Sequence, residues 1–272
     1  MDSRAGSRRR AYANFGRMAR RTGTVSTPTR IPPRAAADSL ARIEADVVAC
    51  GRCPRLRRHC RAVAASKRRA YRDWNYWGRP VPGFGDPRAR LWVLGLAPAA
   101  HGGNRTGRVF TGDSSGDWLF RALHAHGFAL LATSLARDDG QELHDAYISA
   151  AARCAPPDNK PRPVELRRCA AYLDRELGVL DRLRVVVPLG RIAFDAALRL
   201  LEAHGWPLPR PRPRFAHGAR ATLRSASPVP RTLVVLASYH PSRQNTQTGK
   251  LTRGMLDDVF RLARALLLDP DL

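Results

Sequence analysis

The sequence predicts an α/β protein: a three-layer α/β/α sandwich around a four-stranded, mostly parallel central sheet. Four short apolar runs, at 91–96, 147–152, 184–190 and 232–238, have the composition of strands buried on both faces. Stretches with helically spaced apolar residues separate them, and that alternation implies a parallel sheet with right-handed crossovers. The polar-rich loops 97–115, 153–163 and 239–251 each follow a strand end. In such sheets ligands bind at the carboxyl ends of the strands, so the three loops point to one site.

Residues 1–37 hold nine arginines, a single acidic residue and almost no apolar periodicity. They read as a disordered basic arm able to touch nucleic acid non-specifically, or as a plain tail ahead of a start at Met18. A single domain is expected over 38–272. It opens with a helix carrying Leu40, Ile43, Val47 and Val48, with Ser39 as N-cap. The helix runs into Cys50-Gly51-Arg52-Cys53, and a basic helical stretch follows over about 55–69. Tyr71, Trp74, Tyr76 and Trp77 then concentrate four aromatics before a turn-rich segment.

The stretch 91–128 organises the rest: a strand, a glycine-rich loop, then a helix from about Ser115 carrying Trp118, Leu119 and Leu123. This arrangement presents backbone N–H groups to a cleft. His101, Asn104, Arg105, Arg108 and Asp113 are more polar content than a connection requires, so the loop is expected to bind something. Further helices are expected over 164–177, with Pro163 at the start, over 192–203 and over 252–268. Residues 205–231 contain six prolines and receive no assignment.

The 47 basic residues exceed the 23 acidic ones by 24, and only three of them are lysines. Arginine forks match phosphate oxygens, so a polyanionic partner, nucleic acid, is the natural reading. No run approaches the roughly 18 apolar residues of a membrane span, and no apolar segment follows the basic N-terminus as a secretion signal needs. A cytoplasmic, nucleoid-associated monomer is expected.

Of the five cysteines, Cys50 and Cys53 form a Cys-x2-Cys pair, and fourteen residues separate Cys154 from Cys169. Disulfides suit a chain without a secretion signal poorly. Buried inert thiols are one alternative; four thiolates around Zn²⁺ or an iron–sulfur cluster are the other, and spacing does not choose between those metals. Cys60 falls outside the pattern.

The segments Gly95-Leu96-Ala97-Pro98-Ala99, His101-Gly102-Gly103-Asn104-Arg105-Thr106-Gly107-Arg108 and Phe110-Thr111-Gly112-Asp113 resemble the uracil-DNA glycosylase superfamily. His240-Pro241-Ser242 resembles its late motif. Together with 154–161, these segments are most similar to the iron–sulfur-containing family 5 enzymes, also called type b. The resemblance covers about 40–268. It implies a [4Fe–4S] cluster on Cys50, Cys53, Cys154 and Cys169, and DNA containing uracil or another deaminated base as partner.

Such an enzyme takes a base out of the stack and breaks its N-glycosidic bond. Phe110 is the expected stacking face, with a plain core aromatic as the alternative. His240 can donate to a base oxygen as negative charge develops there. By resemblance, Asp113 orients water or stabilises the sugar cation, although Asp is also a favoured helix N-cap. Asn159 can present an amide donor and acceptor to the base edge or the water, and the backbone of Gly95 and Ala97 lies under the pocket. Arg108, Ser114 and Ser115 are expected phosphate contacts. Within the loop from Ser242 to Lys250, Arg243, Gln244 or Asn245 is expected to fill the vacated stack. The leading reading is a glycosylase acting on uracil and on bases such as hypoxanthine. A non-catalytic iron–sulfur DNA-binding module is the alternative. A nucleotide-binding enzyme fits less well, because the loop lacks both Gly-x-Gly-x-x-Gly and a Gly-Lys-Ser/Thr ending.

Overall fold

The four apolar runs become adjacent strands in the computed structural model, which describes residues 38–270 and 272. The arm expected over 1–37 lies outside the described residues. Helices α1 (Leu40–Val48) and α2 (Pro54–Ser66) come first, then β1 (Phe84–Gly85), β2 (Leu91–Gly95), α3 (Gly103–Thr106) and α4 (Ser114–Ala125). After these follow β3 (Ala146–Ala150), α5 (Pro163–Val179), β4 (Val185–Pro188) and α6 (Arg191–Ala203). The chain closes with β5 (Arg220–Arg224), β6 (Thr232–Leu236), α7 (Arg243–Gln247) and α8 (Arg253–Leu268). Ser39 and Thr252 cap α1 and α8, their hydroxyls accepting from the N–H of Arg42 and Met255 at 3.2 Å each.

The sheet has the order β1-β3-β2-β4-β6-β5. Strands β3, β2, β4 and β6 are parallel, as expected, with Leu91 facing Ala146 on one side and Val185 on the other. The expected count of four strands needs correcting to six. The two-residue β1 pairs antiparallel with β3, and β5 pairs antiparallel with β6 at the other edge. Strand β5 sits inside the proline-rich stretch left unassigned from sequence. Its Ala221 and Leu223 point inward while Arg220, Thr222 and Arg224 are exposed. Outward arginines on an edge strand discourage pairing with another chain.

The period of two along each strand divides the core into two layers. Leu91 and Val93 pack with Leu119, Leu123 and Phe260 of α4 and α8; Trp92 and Leu94 pack with Leu173, Phe194 and Leu198 of α5 and α6. Helix α1 lays Ile43 and Val47 on Tyr172 of α5. Glu176 of α5, fully buried, accepts from the Tyr147 hydroxyl at 2.9 Å and from Arg153 Nη2 at 2.5 Å.

The long connection from α4 to β3 folds back on the glycine-rich loop. Arg108, also buried, donates to both carboxylate oxygens of Asp139 at 2.6 and 2.7 Å, to Ser134 Oγ at 2.6 Å and to Thr111 Oγ1 at 3.0 Å. Asp139 also accepts from the N–H groups of Leu135 and Gln141. Removing one partner of a buried ion pair strands the other charge. Asp139→Ala is therefore expected to lower stability by about 3 kcal/mol, read as a fall in the urea midpoint at unchanged m-value.

Candidate active site at the carboxyl ends of the parallel strands

Because the central strands are parallel, β2, β3, β4 and β6 all release their chains at one edge, and the three polar loops emerge there. Phe110 and His240 meet across this edge with ring centroids 5.8 Å apart and planes tilted by 31°. Phe110 is half-buried and has φ +51°, a conformation an aromatic residue adopts only when its surroundings impose it. Its ring rests on the bare Cα of Gly95: a Cβ there would lie 2.7–2.8 Å from the ring carbons. The glycine ending β2 thus gives the aromatic face its seat. Ala97 follows two residues later, half-buried in the loop.

Asp113 caps α4, one of the two roles that sequence reasoning set against each other, and does so with a single oxygen. Its Oδ1 accepts from the N–H groups of Ser115 (2.9 Å) and Gly116 (3.0 Å), capping α4. Its Oδ2 makes no hydrogen bond among the described residues and lies against Gly102, where a Cβ would come within 1.9 Å. Burial pushes the carboxyl above its ordinary range, against the opposing pull of the Gly116 and Ser115 N–H groups. A carboxylate oriented through one oxygen and free at the other can hold a water or face a developing cation.

His240 is deprived of solvent, which pushes its pKa down to about 4. At neutral pH it is an uncharged imidazole able to donate one hydrogen bond. Its carbonyl accepts from Asn245 Nδ2 at 2.8 Å, and Ser242 caps α7 by accepting from the Asn245 N–H at 3.4 Å. Asn245 is therefore a strut under His240, and of the three candidates for the vacated stack Arg243 and Gln244 are the exposed ones. Arg243 Nε reaches Ser114 Oγ at 3.3 Å, joining the starts of α7 and α4. Ser115 already gives its N–H to Asp113.

One expected site residue has another role. Arg108, expected at a phosphate, is corrected to an internal clamp, because its guanidinium is buried and bonded to Asp139, Ser134 and Thr111. Asn159 is exposed on the turn Pro157–Asn159 in the loop after β3, at φ +55°. Sequence reasoning also missed Arg105. Its guanidinium lies between the Tyr71 and Trp74 rings, 4.0 Å from each centroid, and donates to the carbonyls of His101 and Gly112. It ties the aromatic segment to both sides of the Asp113 loop. The aromatic cluster and the polar loop were each visible in the sequence, but their pairing was not.

Beneath this edge, Cys50, Cys53, Cys154 and Cys169 line one small cavity together with Arg153 and Arg168. Cys60 does not line it; its thiol is buried and directed at the Ala155 carbonyl, 3.6 Å away. Among the described residues no three His, Cys, Asp or Glu side chains converge as ligands of a single ion would.

This architecture defines an α/β protein with a pocket at the carboxyl edge of its sheet, and a family model matches it directly. The chain belongs to the uracil-DNA glycosylase superfamily, whose model covers residues 82–264. It is 50% identical over 220 residues to the type-5 uracil-DNA glycosylase of Thermus thermophilus, covering 81% of this chain and 94% of that one. It is 47% identical over 231 residues to the type-5 uracil-DNA glycosylase of Mycobacterium tuberculosis, 85% and 82% of the two chains. The type-4 uracil-DNA glycosylase of Sulfurisphaera tokodaii matches at 26% over 155 residues, 57% and 56% of the two chains.

A histidine whose folded pKa lies below its unfolded value makes the folded state bind fewer protons. The stability it contributes is complete above about pH 6.5 and is lost as pH falls toward 4. The His240 imidazole is expected to stay neutral at pH 5.5 by ¹⁵N NMR. The urea midpoint of the wild type is expected to fall further between pH 7 and 5 than that of His240→Gln.

Proposed function

We propose that the protein is a DNA-repair hydrolase of the type-5 uracil-DNA glycosylase kind, cleaving the N-glycosidic bond of uracil and leaving an abasic site. The observation that carries this reading is the divided use of Asp113, one oxygen holding the start of α4 and the other unbonded against Gly102, in the loop that also carries Phe110. A flipped base stacks on Phe110. The neutral His240 imidazole donates to a base oxygen as the bond breaks and negative charge gathers there, which an uncharged donor in a dry pocket does effectively. Asp113 Oδ2 orients the water that attacks C1′ and faces the positive charge on the sugar. Water's oxygen forms the new bond to C1′, and the departing base takes up a proton. Asn159, exposed on the turn after β3, presents its amide to the base edge or the water. Arg243 and Gln244 of α7 enter the stack that the base vacates, while Ser114 and Ser115 lie at the backbone.

The segment Gly95-Leu96-Ala97-Pro98-Ala99 carries no polar side chain to select one base, so hypoxanthine fits the same pocket. We assign the four cavity thiolates to a [4Fe–4S] cluster. Four soft donors around one cavity, without the close convergence a single ion needs, suit a polynuclear centre better than zinc. Bound there, such a cluster supplies a rigid cross-link between α2, the end of β3 and α5. The arginine-rich residues 1–37 add sequence-independent attraction to DNA.

Matched duplexes carrying one uracil or one hypoxanthine test the activity, read as alkali-labile strand cleavage. Cleavage at the modified site is expected for both; none by cluster-bearing protein would move the reading to a DNA-binding module. Asp113→Asn keeps an oxygen for capping and loses the negative charge. Single-turnover release is expected to drop at least tenfold, about 1.4 kcal/mol or more, with DNA affinity near wild type. Protein purified without oxygen is expected to be brown, with broad absorbance near ~400 nm from thiolate-bound iron; colourless protein holding stoichiometric zinc would overturn the cluster.

A further inference from the structure

Arg153 lies three residues past the end of β3 and one before Cys154, and its side chain is 1% exposed. Nη2 is held by Glu176, which the Tyr147 hydroxyl holds in turn. The backbone is fixed as well, since the Arg153 carbonyl accepts from the Val81 N–H at 2.7 Å. Nε and Nη1, however, are buried and have no hydrogen-bond partner. Charged N–H groups left unpaired at that depth are costly, and native proteins leave few of them.

The same residue lines the cavity shared by the four cysteines, and its guanidinium is near enough to Cys169 for their charges to interact. Other arginines there already have acceptors: Arg57 donates to the Gly78 carbonyl, and Arg52 and Arg168 donate to each other's carbonyls. Arg153 is the guanidinium whose donors are left over. An ion pair with Glu176 alone needs only one edge of the fork and leaves Nε and Nη1 unexplained.

We propose that Arg153 donates N–H···S hydrogen bonds from Nε and Nη1 to the sulfur atoms of the four-thiolate cluster, with Glu176 and Tyr147 as positioning residues. This rests on the iron–sulfur assignment above. Four thiolates give such a cluster net negative charge, and hydrogen bonds to its sulfurs are among the factors that set its potential. Donation from a cation favours the more negative, reduced state and raises the potential. Glu176 keeps the buried guanidinium from standing as a lone charge when the cavity is empty.

The test compares midpoint potentials of Glu176→Gln with those of the Arg153→Met/Glu176→Gln pair, measured anaerobically on cluster-bearing protein. Removing Glu176 in both keeps the second protein from burying an unpaired carboxylate. The double variant is expected to sit lower, by at least a tenfold change in the reduced-to-oxidised ratio at one applied potential, about 59 mV for one electron. Equal potentials would overturn the contact. Should the double variant lose its cluster, the decision passes to protein carrying Arg52→Lys, Arg57→Lys and Arg168→Lys and grown on guanidino-¹⁵N arginine. Pulsed EPR of its paramagnetic cluster is expected to show ¹⁵N coupling; its absence, as when water occupies those donors, would overturn the contact. A wild-type protein without cluster iron removes the cofactor assignment itself, whereas a cluster-bearing wild type with equal variant potentials removes only the role of Arg153.

Discussion

Strand β2 is hydrogen-bonded on both sides along nearly its whole length, to β3 and to β4, and both neighbours run in its own direction. That pairing fixes where everything else happens. The bonding continues past the strand ends, with the N–H groups of Ala151 and Ala152 donating to the carbonyls of Gly95 and Leu96 at 2.9 Å. The loop that carries Phe110 and Asp113 and the segment that reaches Cys154 therefore leave the sheet side by side. Aromatic face, carboxylate and thiol-lined cavity inherit their relative positions from one parallel ladder rather than from flexible connections.

The second constraint is steric. Phe110 can lie where it does only because Gly95 has no side chain, and Asp113 can turn Oδ2 toward the pocket only because Gly102 has none. The strained φ of Phe110 is held by the Gly95 contact, with the His240 ring 5.8 Å away. Capping leaves Asp113 its second oxygen, because a carboxylate has two and this helix start uses one.

Much of this was legible in the sequence, since the signals involved are local and periodic. The four parallel strands, the helices with Ser39 and Asp113 as caps, and the shared edge of the polar loops followed from apolar runs and capping residues. The edge strands were not legible: β1 is two residues long, and β5, flanked by prolines, alternates exposed Arg220, Thr222 and Arg224 with buried Ala221 and Leu223, so it lacks the continuous apolar run that marked the central strands. The inward turn of Arg108 was hidden for another reason. Its partner Asp139 lies 31 residues away in a connection with no regular pattern, and an arginine in a glycine-rich loop looks the same whether it meets a phosphate or a carboxylate. The strut formed by Asn245 and the aromatic sandwich around Arg105 likewise depend on pairings between segments distant in sequence.

Three arginines, Arg105, Arg108 and Arg153, are buried among protein groups, and several more are tied to acidic side chains, among them Arg90 and Arg175. Composition therefore does not say which of the 47 basic residues a duplex can reach. Counterions are released only where a cation reaches a phosphate. The steepness with which DNA affinity falls as salt rises will follow the exposed guanidinium groups that meet the backbone, not the formal excess of 24. Part of an arginine-rich composition thus serves to hold the protein's own loops in place.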